Sequence, residues 1–157
     1  MNENSVRHYA LKLLETDYHC GEVVVRTILH ELRIKASASV LSISASMNGG
    51  GRAGAQCGIL EAGLFVLSLL YGRHSEKQSR EPLQSLAFQL TKKFETEYKS
   101  LLCRDIRPEG FYSTQPRGLC TERIIYGIFF LLDFFEVTVK EYPLKDSLKY
   151  SYGKRKT

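Results

Sequence analysis

Val6, Ala10, Leu13 and Leu14 recur at i, i+4, i+7 and i+8, the spacing of one face of a first short helix. After the polar stretch Asp17-Tyr18-His19, Val24, Ile28 and Leu32 mark the inner face of a second helix, from about residue 20 to 33. The next segment is ambiguous. Leu41, Ile43, Ala45 and Met47 alternate with Ser42, Ser44 and Ser46, which is the period of a strand. A lone strand has no partner in an otherwise helical chain, so a short helix over about 35–46 is expected. Residues 48–56 carry glycines at 49, 50, 51 and 54 and read as a loop. The helix that follows, opened by Cys57, has no charge between Glu61 and Arg73 and is apolar nearly all round, so it belongs at the centre. Gly72 ends it, and a charged loop runs to Arg80.

Pro82 suits a helix's first turn, and Leu83, Leu86, Ala87, Leu90 and Phe94 trace an amphipathic stripe behind it. Tyr98, Leu101 and Leu102 continue the stripe, which puts Cys103 at the helix's C-terminal end. Residues 104–118 contain Pro108, Gly110, Pro116 and Gly118 and read as a second long loop. Cys120 then opens the last strong helix, over 124–135, again apolar on most sides. Periodicity fades beyond Val139, where Pro143 and Gly153 interrupt it. The pattern predicts an all-α bundle of about five to six helices with two buried central ones. Residues 1–139 would form a single domain, and 140–157 a basic, loosely ordered tail.

Composition narrows the function classes. A chain of 157 residues, 43% hydrophobic and 25% charged, can bury a core without disulfide or metal staples. The net charge of +5 comes mostly from 140–157, where six basic residues face two acidic ones. No stripe of Arg and Lys with interleaved aromatics crosses the body, so nucleic-acid binding is not indicated. The longest apolar stretches, 64–71 and 124–132, are too short to span a bilayer. Residues 1–5 are polar and lack the apolar run of a signal peptide, so a cytoplasmic location is expected. Thiols there are usually reduced, which favours redox, catalytic or metal roles for cysteine over structural disulfides.

Four cysteines carry the candidate chemistry: Cys20, Cys57, Cys103 and Cys120. Three of them, Cys20, Cys57 and Cys120, open apolar helical runs, where the helix macrodipole favours a thiolate. Their separations of 37, 46 and 17 residues disfavour a structural zinc site, which usually draws two ligands from one C-x₂₋₄-C knuckle. Iron–sulfur clusters tolerate scattered ligands, and thiol pairs can instead exchange electrons as disulfides. Cysteines that merely fill a core belong in mid-helix on apolar faces, whereas these sit at ends and loops. The glycines before Cys57 let the backbone approach closely or offer free N–H groups to a sulfur or an anion.

Residues 18–136 resemble the C_GCAxxG_C_C family of redox-active proteins, named for four spaced cysteines and a glycine-rich motif at the second. Cys20 with its amphipathic helix, Asn48-Gly49-Gly50-Gly51-Arg52-Ala53-Gly54-Ala55-Gln56-Cys57-Gly58, Leu69-Leu70-Tyr71-Gly72, Cys103-Arg104-Asp105-Ile106 and Cys120 before Ile124-Ile125 carry the likeness. Where the pattern has Cys-Gly-Ala-x-x-Gly, this chain has Ile59 for the alanine and Ala62 for the glycine. The resemblance implies a redox role. A related domain of split-Soret cytochromes is similar and carries an iron–sulfur centre. The four cysteines would then be redox thiols or cluster ligands, with Gly50, Gly51, Gly54 and Gly58 shaping the cofactor's surroundings. Covalent haem is excluded, because the chain has no C-x-x-C-H.

Other residues offer less. His19 could act as a base or alternate ligand, but a loop histidine is more often exposed; His8, His30 and His74 share no metal-type spacing. Residues 48–57 lack the Walker Lys-Ser/Thr, which argues against a nucleotide. Arg52, Arg104 and Arg117 lie near cysteines and could lower their pKa values or balance an anionic cluster. Glu61 shares a helix face with Cys57 and could accept its proton. Three classes remain: electron transfer through a four-cysteine iron–sulfur cluster, thiol–disulfide chemistry, or a non-catalytic helical binding module with structural cysteines. The first two require an electron donor or acceptor that the sequence does not name.

Overall fold

The structure is a computed structural model that describes residues 2–107 and 117–144, without the side chains of 117 and 118. Among these residues lie eight helices and no strand: α1 (Glu3–Glu15), α2 (Cys20–Glu31), α3 (Ala38–Ser42), α4 (Gly49–Arg52), α5 (Gly58–Tyr71), α6 (Leu83–Tyr98), α7 (Cys103–Ile106) and α8 (Thr121–Glu141). The all-α expectation is met, but the count of five to six is too low. Five long helices build the bundle. The excess comes from α3, α4 and α7, single turns that hydrophobic periodicity is too coarse to resolve.

The long helices start where side chains can satisfy free backbone donors. Asn2 accepts from the Ser5 N–H at 3.3 Å at the head of α1, and Glu22 accepts from the His19 N–H at 3.1 Å at the head of α2. The alternating 41–47 segment is a short helix followed by a 3₁₀ turn over Ile43–Ser46, and the helix starts at Ala38 rather than near 35. Its serines explain the false strand pattern. Ser42 Oγ donates to Ser39 O at 2.8 Å and Ser44 Oγ to Leu41 O at 2.6 Å, so the hydroxyls bond back to their own turns. Ser44 is buried there while Ile43 is exposed, the reverse of an apolar-in strand.

The core is built on α2 lying along α5, with α6 and α8 closing the other sides. Val24 and Ile28 of α2, Leu60 and Leu67 of α5, Leu90 and Phe94 of α6, and Ile128 and Leu131 of α8 are fully buried. The two helices expected at the centre, α5 and α8, are therefore joined there by α2. Gly63 and Gly127 permit close helix approach. A Cβ on Gly63 would stand 2.7 Å from Leu131 Cδ2, and one on Gly127 2.6 Å from Ile59 Cγ2 and 2.9 Å from Tyr98 Oη. Helix α8 runs to Glu141, past the expected boundary at 139, and Leu144 is buried against the core. The rest of the expected basic tail, 145–157, and Pro108, Gly110 and Pro116 of the second loop lie outside the described residues.

Helix α6 stops at Tyr98, four residues short of the end its stripe suggests. Lys99 takes a left-handed conformation at φ 62°, a common way to end a helix. Leu102 is then extended, and Cys103 begins a new turn. This moves Cys103 from the end of one helix to the start of another.

Candidate functional site

The glycine-rich loop is a turn of the wrong hand. Gly49, Gly50, Gly51 and Arg52 all have φ between 57° and 66°, and the Arg52 N–H returns to Asn48 O at 2.9 Å. L-residues resist this conformation by about 1–2 kcal/mol each, which explains the glycines at three of the four positions. The turn delivers residues 54–57 alongside 101–104 as a short antiparallel bridge. Cys57 N donates to Leu101 O at 2.9 Å, Cys103 N to Ala55 O at 2.6 Å and Arg104 N to Gly54 O at 3.1 Å. Cys57 and Cys103, distant in sequence, are thus held on facing strands of backbone.

All four cysteines stand at the head of a helix. Cys20 and Cys103 are the first residues of α2 and α7, while Cys57 and Cys120 cap α5 and α8. None of the four is in a disulfide, and they lie close enough for electrostatic influence among them. The strongest thiol influence on Cys20 comes from Cys57, that on Cys57 from Cys103, and that on Cys103 from Cys120. Gly58 makes the first contact possible: a Cβ there would lie 2.7 Å from Cys20 Sγ and 2.3 Å from Met47 O. Met47 also packs over Gly21, so it covers the starts of both α2 and α5.

The expected thiolates are not favoured. Burial pushes the Cys20 and Cys57 thiols up to about 12, and neighbouring thiols add to the rise. The helix starts act in the expected direction, through the Gly21 N–H at Cys20 and those of Ile59 and Leu60 at Cys57, but they are outweighed. Cys103 is also raised, first by burial and then by Cys120. Arg107 opposes that rise and Glu61 adds to it. At pH 7 a thiol with a pKa of about 12 is ionised about once in 10⁵ molecules. Cys20 and Cys57 are therefore neutral thiols at pH 7.

The remaining candidates divide clearly. Arg52 and Arg104 are exposed, and the Arg117 side chain lies outside the described residues. His19 serves at the head of α2. Glu61 faces an open groove of about 550 Å³ with Ser46, Gln56, Leu64 and Phe65, and partial burial raises its pKa. Its charge acts on Cys103. Gly50, Gly51 and Gly54 shape the loop that carries Cys57, with Gly54 φ at 68°, whereas Gly58 contacts a sulfur directly. Sequence reasoning missed Met47, Tyr98 and Arg107. Tyr98, stacked on Phe94 at 4.3 Å, lies near enough to Cys57 to feel its charge. Arg107 is four residues after Cys103, a spacing that becomes informative once Cys103 is recognised as a helix start. Among the described residues no group of three or more His, Cys, Asp or Glu side chains is arranged to hold a metal ion. No described helix is long and apolar enough to cross a membrane.

The fold and site define an all-α protein with four thiols gathered at helix starts. Residues 18–126, more than two thirds of the chain, match the family described as "Putative redox-active protein (C_GCAxxG_C_C)", and the chain belongs to that family. No curated protein and no solved structure matches it significantly. The departure from the family motif at Ile59 has a local reason: the Ile59 side chain fills the space over Gly127 of α8.

Two outcomes test this geometry. Gly58→Ala forces a Cβ against the Met47 carbonyl, which cannot rotate away, and should cost about 1–3 kcal/mol in urea unfolding. Gly51→Ala meets nothing within 4 Å and should cost only about 1 kcal/mol, for its φ of 64°. Equal costs would contradict the packing of Gly58 on Met47 and Cys20. The second outcome concerns pH. An unfolded thiol ionises near 9.0, while folded Cys20 and Cys57 keep their protons to about 12. Their contribution is therefore complete below pH 9 and lost as pH rises through 12. The urea midpoint of metal-free protein should fall between about pH 8 and pH 10.5, and fall less in a Cys20→Ala/Cys57→Ala variant. Equal slopes in both proteins would show that these thiols are not the source.

Proposed function

We propose that this protein transfers electrons through an iron–sulfur cluster held by Cys20, Cys57, Cys103 and Cys120. One observation carries the reading: four thiols are collected at helix starts, where Cys57, Cys103 and Cys120 raise the cost of ionising Cys20, and Cys103 and Cys120 that of ionising Cys57. Such a collection has little use as a set of nucleophiles at neutral pH. It becomes favourable with a cationic core, because a bound metal reverses the local electrostatics and deprotonates coordinating thiols outright. The residues fit such a group in the kind and number of donors. They are not arranged around a single ion, which argues against mononuclear zinc.

When bound, the cluster would supply one-electron transfer. The chain's own residues supply the surroundings. Met47 and Gly58 close over Cys20. The N–H groups of Gly21, Ile59 and Leu60 offer hydrogen bonds to sulfur that favour its negative charge. One electron enters from a donor and one leaves to an acceptor, with no bond made or broken in the protein.

Thiol–disulfide exchange is the second reading. The reduced state of the four cysteines, and the lack of any metal-ready group among the described residues, favour it. The two readings separate in one preparation. Anaerobically purified protein should be brown, contain iron and acid-labile sulfide, and bleach on dithionite. Each single Cys→Ser variant should lose most of that colour. Colourless, iron-free protein that also fails anaerobic reconstitution would overturn the cluster. Reversible oxidation of its thiols would then support exchange.

A further inference from the structure

Arg52 is the odd member of the left-handed turn. Gly49, Gly50 and Gly51 take φ of 57–64° without strain, but Arg52 takes 66° while carrying a full side chain. Glycine would relieve that strain, so the side chain has to be accounted for. The guanidinium is exposed and meets no hydrogen-bond or ion-pair partner among the described residues, so no contact within the fold offsets the strain.

Arg104 stands beside it. Helices α4 and α7 lie against each other, and the Arg104 N–H donates to Gly54 O at 3.1 Å. A Cβ on Gly54 would meet Arg104 Cβ at 3.2 Å. The Arg104 guanidinium is also exposed and unpartnered among the described residues. Its acidic neighbour Asp105 accepts from Ser100 Oγ at 2.7 Å instead. Both cations therefore flank the bridge that carries Cys57 and Cys103. Most of the net charge of +5 lies in 140–157, so two unpaired arginines beside the centre are a local feature. Ala53 and Ala55 next to them are exposed and short, so no long side chain there keeps a second molecule away.

We propose that Arg52 and Arg104 form the docking surface for the centre's electron partner, a small one-electron carrier protein with an acidic face. The proposal rests on the electron-transfer reading above. Carboxylates of the carrier complement the two guanidinium groups, whose forked N–H donors suit them. Opposite charge speeds encounter and fixes orientation more than it adds affinity, which suits a carrier that must also leave. One electron passes from the reduced carrier to the oxidised centre, and no bond forms or breaks.

The probe is flavodoxin, an acidic one-electron carrier, with cytochrome c as its basic counterpart. Metal-free protein is titrated with each at about 20 mM and about 300 mM salt, which screens surface charge weakly and strongly. Flavodoxin should associate at low salt and release at high salt, and cytochrome c should not associate. Arg52→Gln/Arg104→Gln should weaken flavodoxin binding roughly tenfold at low salt. Arg52→Lys/Arg104→Lys should retain most of it. Lys77→Gln/Arg80→Gln removes the same charge from the exposed loop beyond the far end of α5 and should leave binding unchanged. Each variant is checked for fold by circular dichroism and urea midpoint. Preference for cytochrome c, no association with flavodoxin, or binding that R52Q/R104Q leaves intact would overturn the proposal. Equal loss in the two glutamine variants would also overturn it.

Electron delivery is read separately, by stopped flow with anaerobically reconstituted protein. Dithionite-reduced flavodoxin should lose one electron per centre, several-fold more slowly with R52Q/R104Q. If flavodoxin binds at this face but no electron passes, the redox reading fails and the docking site stands.

Discussion

The antiparallel bridge between residues 54–57 and 101–104 is the constraint on which the site depends. Three backbone hydrogen bonds of 2.6–3.1 Å tie the approach to Cys57 to the approach to Cys103. Neither segment belongs to a long helix, so bundle packing alone would not bring them together. The left-handed turn over 49–52 aims the first segment, and the early end of α6 at Lys99 frees the second. With those two thiols fixed, α2 and α8 need only present their first turns to complete the set.

The electrostatics of the centre follow from a contest between helix starts and burial. Backbone N–H groups at the heads of α2 and α5 favour charged sulfur, yet burial leaves Cys20 and Cys57 ionising only near 12. Desolvation outweighs the helix ends because the Cys20 sulfur sits against Gly58 under Met47 and Cys57 is buried in the core. Membership of a redox-active family and thiols whose ionisation is opposed by burial and by one another are reconciled most simply if a cationic core is taken up there.

Much of this was legible in the sequence, for identifiable reasons. Long helices announce themselves because many residues repeat one spacing, and α1, α2, α5, α6 and α8 were all readable that way. The four cysteines stood out as residues at helix boundaries. What escaped was short or long-range. The serines of 42–46 imitate a strand because nothing in their order reveals that their hydroxyls bond back to the same turn. Cys103 was placed at the wrong end of a helix because Leu101 and Leu102 prolong an apolar stripe after the backbone has turned at Lys99. Met47 acts through its backbone carbonyl, which no side-chain pattern records.

The central claim is that four scattered cysteines form one centre, and disulfide trapping tests it most directly. Metal-free, folded protein is treated briefly with diamide, and its intrachain disulfides are mapped by peptide mass spectrometry. The account predicts that all four thiols are consumed in intrachain pairs drawn from Cys20, Cys57, Cys103 and Cys120, because neighbouring sulfurs need only local adjustment to reach bonding distance. Thiols that stay reduced, or that join only between molecules, would contradict it.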